Sequence, residues 1–172
     1  MLPRDGSGGR AGGAVPTIIG YRAWNVGRDA SLRSITGRDV WRPEPMRAFC
    51  TATPFQKPTC GRLAPQRDCD CGLHAYHDVD TCLRRGPVHG IVAGWGRVIV
   101  HCNCWRAQWA QVVALINTGW DPALVRRIAR RYHVPIVPRR EAEAFAAEFG
   151  APVPRHLIPP RHRDYSADRR AA

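Results

Sequence analysis

From Val88 to Val100 the chain reads Val-His-Gly-Ile-Val-Ala-Gly-Trp-Gly-Arg-Val-Ile-Val, the strongest strand signal it contains. β-Branched and aromatic residues suit a pleated surface. Glycines at 90, 94 and 96 predict bulges or tight curvature of the kind a small barrel needs. A second β signal spans Ile18 to Ile35. Ile19, Tyr21 and Ala23 share one face, Arg22 and Trp24 fall on the other, and Gly27-Arg-Asp29 supplies a hairpin turn before Leu32 to Ile35 returns. Val40-Trp41 predicts a short extended piece ended by Pro43 and Pro45. Gly72 to His77 alternates as a strand with Leu73, Ala75 and His77 on one side. Asp78 to Pro87 reads as a polar turn. Ala110 to Ile116 fits either a strand or a short helix, because periodicity does not separate the two over seven residues.

Two helices follow. Asp121-Pro122 pairs an N-cap with proline at the first helical position. Leu124, Val125, Ile128 and Ala129 form an apolar stripe, with Arg126, Arg127, Arg130 and Arg131 opposite, and Val134-Pro135 stops the helix. A second helix is predicted from Arg139 to Phe149, with Ala142, Phe145, Ala146 and Phe149 on one face and Gly150 as its stop.

These elements predict an α+β fold: a small curved antiparallel sheet or partly open barrel over residues 18–116, with two C-terminal helices over 121–149. At 172 residues the chain has the length of one domain. Residues 1–17 are Gly-rich and 161–172 polar and basic. Neither holds enough large apolar groups to offset the entropy of ordering, so both are expected to be disordered tails around a folded 18–160. The absence of an apolar stretch near the N-terminus, or of about 18 apolar residues anywhere, predicts a soluble cytoplasmic protein with no membrane association.

The segment from 50 to 71 is different. Pro54, Pro58 and Pro65 exclude a helix or core strand, and a loop this long inside a compact domain needs something to hold it. Cys50, Cys60, Cys69 and Cys71 are the candidates. In a reducing compartment, four thiols within 22 residues point to a structural metal rather than disulfides, and zinc favours four tetrahedral thiolates. The spacing C-x9-C-x8-C-x-C departs from paired C-x2-C knuckles, but Gly72 after the Cys-x-Cys eases the turn that would bring both sulfurs to one side. The pattern therefore predicts one structural zinc held by Cys50, Cys60, Cys69 and Cys71. Unligated thiols and a redox dithiol at Cys69/Cys71 are the competing readings. His101-Cys102-Asn-Cys104, with Cys82 or His89, offers a weaker second cluster.

The chain carries 26 Lys plus Arg against 14 Asp plus Glu, a formal charge of +12, and Lys57 is its only lysine. Such a charge attracts phosphate backbones, although a GC-rich genome writes the same arginine skew. Arg97, Arg106 and Trp105, in and after the strongest strand, and Arg126, Arg127, Arg130 and Arg131 on the first helix are the candidate nucleic-acid contacts. The charge also suits an acidic protein partner, which would make the chain an interaction adaptor. No H-x-E…P-C-x-x-C, H-E-x-x-H, G-x-S-x-G or phosphate-binding Gly loop is present, so a small zinc enzyme is the third reading. A non-catalytic, zinc-stapled, nucleic-acid-binding and regulatory module is the expectation.

Gly20-Tyr-Arg-Ala-Trp24, Leu32-Arg-Ser34, Trp41, Cys50, Cys69-x-Cys71-Gly72-Leu-x-Ala75 and Gly90-x-Val92-x3-Gly96-x-Val98-x2-His101-x4-Arg106-Ala107 together resemble a group of small uncharacterised proteins of actinobacteria and their phages. The resemblance covers residues 20–116, with a looser echo over 121–158. It implies an architecture and a bacterial or phage source, and no activity. The group's pattern places a histidine three residues before the proline that precedes Cys-x-Cys, where this chain has Arg62. Arginine cannot replace an imidazole as a ligand. Either Cys60, two residues earlier, takes its place, or the site has lost a donor.

Overall fold

The computed structural model describes residues 16–160 apart from 36–38, 51–63 and 68. Of the expected tails, residues 1–15 and 161–172 lie outside the described residues, as does most of the proline-rich loop; Thr17, at the end of the expected 1–17 tail, accepts from the Ala151 N–H at 3.2 Å. The strands are β1 (Ile18–Val26), β2 (Leu32–Ser34), β3 (Met46–Arg47), β4 (Leu73–Tyr76), β5 (Val88–Val100), β6 (Cys104–Asn117), β7 (Ile136–Pro138) and β8 (Ala151–Pro152). The helices are α1 (Val79–Leu83), α2 (Pro122–Tyr132) and α3 (Ala142–Ala147).

The sheet is partly ring-like. β1 pairs antiparallel with β5 from Ile18↔Gly94 to Trp24↔Val88. β5 pairs with β6, with register shifts at Ile91/Val92 and Trp95/Val98. β6 pairs with β4 from Leu73↔Ala107 to Tyr76↔Cys104, and β4 returns to β1 through Tyr21↔Tyr76. The two bulges supply the bending that the glycine-rich sequence of β5 anticipates. Gly20 and Gly94 serve a further purpose. A Cβ on either would come within 2.5 Å of the Trp105 indole, which lies across β1 and β5 at the centre of the ring. There Trp105 is 0% exposed and its Nε1–H donates to the Ile19 carbonyl at 3.2 Å.

Strand alternation feeds two apolar clusters. Trp24, Leu32, Trp41, Trp105, Val112, Leu115, Ile128 and Tyr132 belong to one. Ile19, Tyr21, Ala23, Ile91, Ala114 and Ile116 join Val79 and Cys82 of α1 and Ala142 and Ala146 of α3 in the other. β1 therefore serves both sides, one residue set to each.

α2 begins as its sequence predicts. The Asp121 carboxylate accepts from the Leu124 N–H at 3.0 Å, Pro122 occupies the first turn, and His133 closes the helix in the left-handed region at φ 53°. Tyr132 fastens it to the sheet, its hydroxyl donating to the Trp41 carbonyl at 2.7 Å and accepting from the Leu32 N–H at 2.8 Å.

Several expectations need correction. Residues 79–83 form α1, because Asp78 caps the Thr81 N–H at 2.7 Å and Val79 and Cys82 are buried. A capped five-residue turn carries too few apolar positions to register as periodic. The second C-terminal helix is shorter than predicted: Arg139–Glu141 is a 3-10 turn and α3 ends at Ala147. β7 runs parallel to β6 directly after Pro135, and β8 parallel to β1. Both are too short to show a period of two. The ambiguous 110–116 is strand, within β6.

Candidate metal centre

The cysteine loop leaves and rejoins the ring on one strand. β3, just before Cys50, pairs with β6 at Met46↔Ala110 and Arg47↔Trp109, and the Ala48 N–H donates to the Gln108 carbonyl at 2.7 Å. β4, just after Cys71, pairs with the same strand at Leu73↔Ala107 and His74↔Arg106. Two chain segments about 20 residues apart are thereby laid end to end along β6, and their thiols meet. The sulfurs of Cys50, Cys69 and Cys71 all lie within 4.8 Å of one another.

Cys50 Sγ and Cys69 Sγ are 3.5 Å apart. That is far beyond a covalent S–S bond of about 2.05 Å. It is close to the roughly 3.8 Å edge of a tetrahedron whose metal–sulfur bonds are about 2.3 Å. The three residues are thus donors that a metal ion can take. Cys60, the expected fourth ligand, and Arg62 lie outside the described residues.

Gly72 turns the chain from the thiols into β4 at φ +126°, a left-handed conformation open to glycine. A Cβ there would lie 2.9 Å from the Cβ of Arg106 and 3.0 Å from that of Pro65.

Arg106 is the residue that sequence reasoning misplaced. It was expected on the nucleic-acid surface, yet it is 2% exposed and directed into the cysteine loop. One terminal nitrogen donates to the carbonyls of both Cys69 and Cys71, the latter at 2.8 Å, and its Nε–H donates to His101 Nε2 at 2.9 Å. The guanidinium fork clamps the Cys-x-Cys backbone in the conformation that gathers the sulfurs. It also places a positive charge behind thiols that become negative when they bind metal. Because His101 Nε2 accepts from Arg106, the ring is held neutral. Burial, and then the Arg106 charge, hold its pKa below the ordinary imidazole value. Register with His74 across β4 and β6 is what brings Arg106 to the loop, and nothing local to residue 106 announces it.

Trp105, the other expected base-stacking residue, is also enclosed in the core, so it offers no face to a ligand. The remaining arginines lie at the surface. Arg97 is exposed at the second bulge. Arg126, Arg127, Arg130 and Arg131 are exposed on α2 as the helical period predicts. Arg131 pairs with Asp29 at 3.4 Å, and Arg127 donates to the Arg28 carbonyl at 3.0 Å. Arg126 and Arg130 line an open depression with His133 and Ile136.

Cys82 is buried beside Val79, and burial pushes its thiol up to about 12, so it is a core residue. Burial raises Cys104 as well. Among the described residues, no group of three potential ligands other than Cys50, Cys69 and Cys71 comes together. Among the described residues no helix is long and apolar enough to cross a membrane. No protein-family model, curated protein or solved structure matches the chain.

Proposed function

We propose that this protein is a non-catalytic module, stapled by one zinc ion, that binds nucleic acid in a regulatory role. For the staple, the support is the meeting of three sulfurs within 4.8 Å of one another, two of them 3.5 Å apart, with Cys60 as the fourth donor. A zinc closed by four thiolates has no open position for substrate or water, so the centre serves the fold rather than a reaction.

The observation that carries the binding role is the surface beside β3. Trp95 and Trp109 stack there with rings 5° from parallel, and the Arg47 guanidinium lies 5.7 Å from the Trp109 ring centroid. Both indoles are partly exposed, unlike Trp24, Trp41 and Trp105. Aromatic faces flanked by arginines stack bases and hold phosphates, and each stacked base contributes about 1–3 kcal/mol. Arg97 beside the bulge, and Arg126 and Arg130 on α2, supply further charge toward a backbone on a chain of +12. A bacterial or phage module of this kind is in keeping with the resemblance noted above.

Elemental analysis should find about one zinc per chain, and Cys71→Ser should lower both zinc content and stability. Fluorescence anisotropy with single-stranded and duplex oligonucleotides over a salt series tests the binding role. Affinity should fall with salt at a slope of about −0.7 per phosphate contact for single strands. Arg126→Ala with Arg130→Ala should flatten that slope, and Trp95→Ala should weaken single-strand binding. No binding at low salt would remove nucleic acid as the partner and leave an acidic protein.

A further inference from the structure

A second charged feature lies between β1, β4 and the end of α1. Arg22, Arg85, His74, Tyr76, Cys104 and Ile35 are among the residues that line a cavity of about 180 Å³. Among the described residues no carboxylate lines it, and Arg22 forms no ion pair.

Arg22 is unusually placed for a cation. Its guanidinium lies 4.7 Å from the centroid of the Trp41 ring, donates to the His74 carbonyl, and donates to Ser34 Oγ at 2.8 Å. A guanidinium carries five N–H donors. These two bonds leave the others over, and Nε is shut off from solvent with no hydrogen-bond partner. Asp39 acts on Arg22 only through space. Burial pulls the pKa down to about 10, so the group stays charged at neutral pH. An enclosed cation that makes no ion pair among the described residues is costly and favours an anion beside it. Arg85, exposed at the rim with no side-chain bond among the described residues, adds a second positive group, and Tyr76 adds a hydroxyl.

We infer that this cavity is a binding site for a compact, doubly charged oxyanion, a phosphate group in the first instance, held between Arg22 and Arg85 with His74 and Tyr76 at its side. A planar fork matches two phosphate oxygens at once. The volume admits a phosphate with a small substituent and excludes a nucleic-acid strand. The site lies apart from the tryptophan surface and touches the thiol loop through His74, whose Nε2–H donates to the Asp70 carbonyl at 3.1 Å; its failure would leave the proposed function untouched, because no thiolate takes part in it.

The test is isothermal titration of the full-length, zinc-loaded protein with inorganic phosphate, and with acetate as a singly charged control, at constant ionic strength. Phosphate should bind in one-to-one ratio and acetate at least about 10-fold more weakly. Arg85→Ala, at an exposed position that leaves the fold intact, should weaken phosphate about 10-fold or more, the size of one lost charge-assisted bond. Arg22→Lys should weaken it further, and if that variant does not fold, Tyr76→Phe with Arg85→Ala decides. Undetectable phosphate binding at 10 mM, on the order of the weakest useful affinity for a small anion, would overturn the inference. So would an Arg85→Ala protein that binds like the wild type, or a loss of binding in Arg126→Ala/Arg130→Ala instead.

Discussion

Removing Arg106 is the sharpest test of how the cysteine loop is held. The side chain makes three hydrogen bonds from one buried charge, to the carbonyls of Cys69 and Cys71 and to His101 Nε2. Hydrogen bonds from a charged donor contribute about 1.5–3 kcal/mol each, which puts the gross contribution of three at about 5–9 kcal/mol. Alanine also abolishes the desolvation cost of the buried guanidinium, which offsets several kcal/mol of that sum. Three acceptors are left in its place, so the net loss expected for Arg106→Ala is about 3 kcal/mol. Arg106→Lys separates charge from geometry. An ammonium keeps the positive charge, but it has no planar fork to bridge two carbonyls and a ring nitrogen. It should therefore lose about 2 kcal/mol or more, most of what alanine loses. Because the clamp sets the Cys-x-Cys backbone, metal affinity should drop about 10–100-fold in both variants, as it does when groups that orient ligands are removed.

Urea unfolding with and without chelator measures the first effect, and competition with a chromophoric zinc chelator the second. Arg106→Ala with stability within about 0.5 kcal/mol of wild type, the range of an ordinary surface substitution, and with unchanged zinc affinity would refute the clamp. A flatter salt slope for oligonucleotide binding in Arg106→Ala, at unchanged stability, would return the residue to the nucleic-acid surface.

Two further outcomes follow from the same geometry. Gly72→Ala puts a Cβ at φ +126° and within 3.0 Å of both Arg106 and Pro65 Cβ atoms. Unfolding should become easier by about 2–3 kcal/mol, and zinc affinity should fall with it. A neutral result would mean that the turn into β4 adjusts freely. His89 is buried, its Nε2–H donates to the Arg85 carbonyl at 2.8 Å, and burial holds its pKa below the ordinary value. The unfolded chain then takes up a proton at higher pH than the folded one. The stability contributed by neutral His89 is fully present above the ordinary imidazole pKa and is lost as pH falls below it. His89→Gln should flatten that acid limb when unfolding midpoints are measured in chelator from pH 5 to 8, and an unchanged limb would exclude His89 as its source.

Much of the architecture is legible in local pattern. The run 88–100 is β5 to the residue, the hairpin of β1 and β2 follows its turn signal, and Asp121-Pro122 starts α2 where capping chemistry requires. These segments carry enough periodic positions to outvote their exceptions. α1, β7 and β8 do not: α1 depends on the burial of Val79 and Cys82 beside β1, and β7 and β8 on pairing with β6 and β1. The site divides along the same line. That the proline-rich segment calls for a staple, with Cys50, Cys60, Cys69 and Cys71 as candidate donors, is an expectation from composition alone; the structure brings Cys50, Cys69 and Cys71 together, and Cys60 lies outside the described residues.

What the chain determined by itself was therefore its longer elements, its excess of positive charge and three thiols of its candidate metal centre. What tertiary structure decided was the use of each arginine and tryptophan. Trp105 and Arg106 sit one residue apart on β6 and look like surface chemistry, yet one fills the ring and the other clamps the thiol loop. Trp95 and Trp109, ordinary strand residues in sequence, form the partly exposed stack. The reason is that a strand states only which residues share a face. Which face meets the core, a loop or solvent is set by pairing partners and bulges, here Leu73↔Ala107, His74↔Arg106 and the shift between Trp95 and Val98.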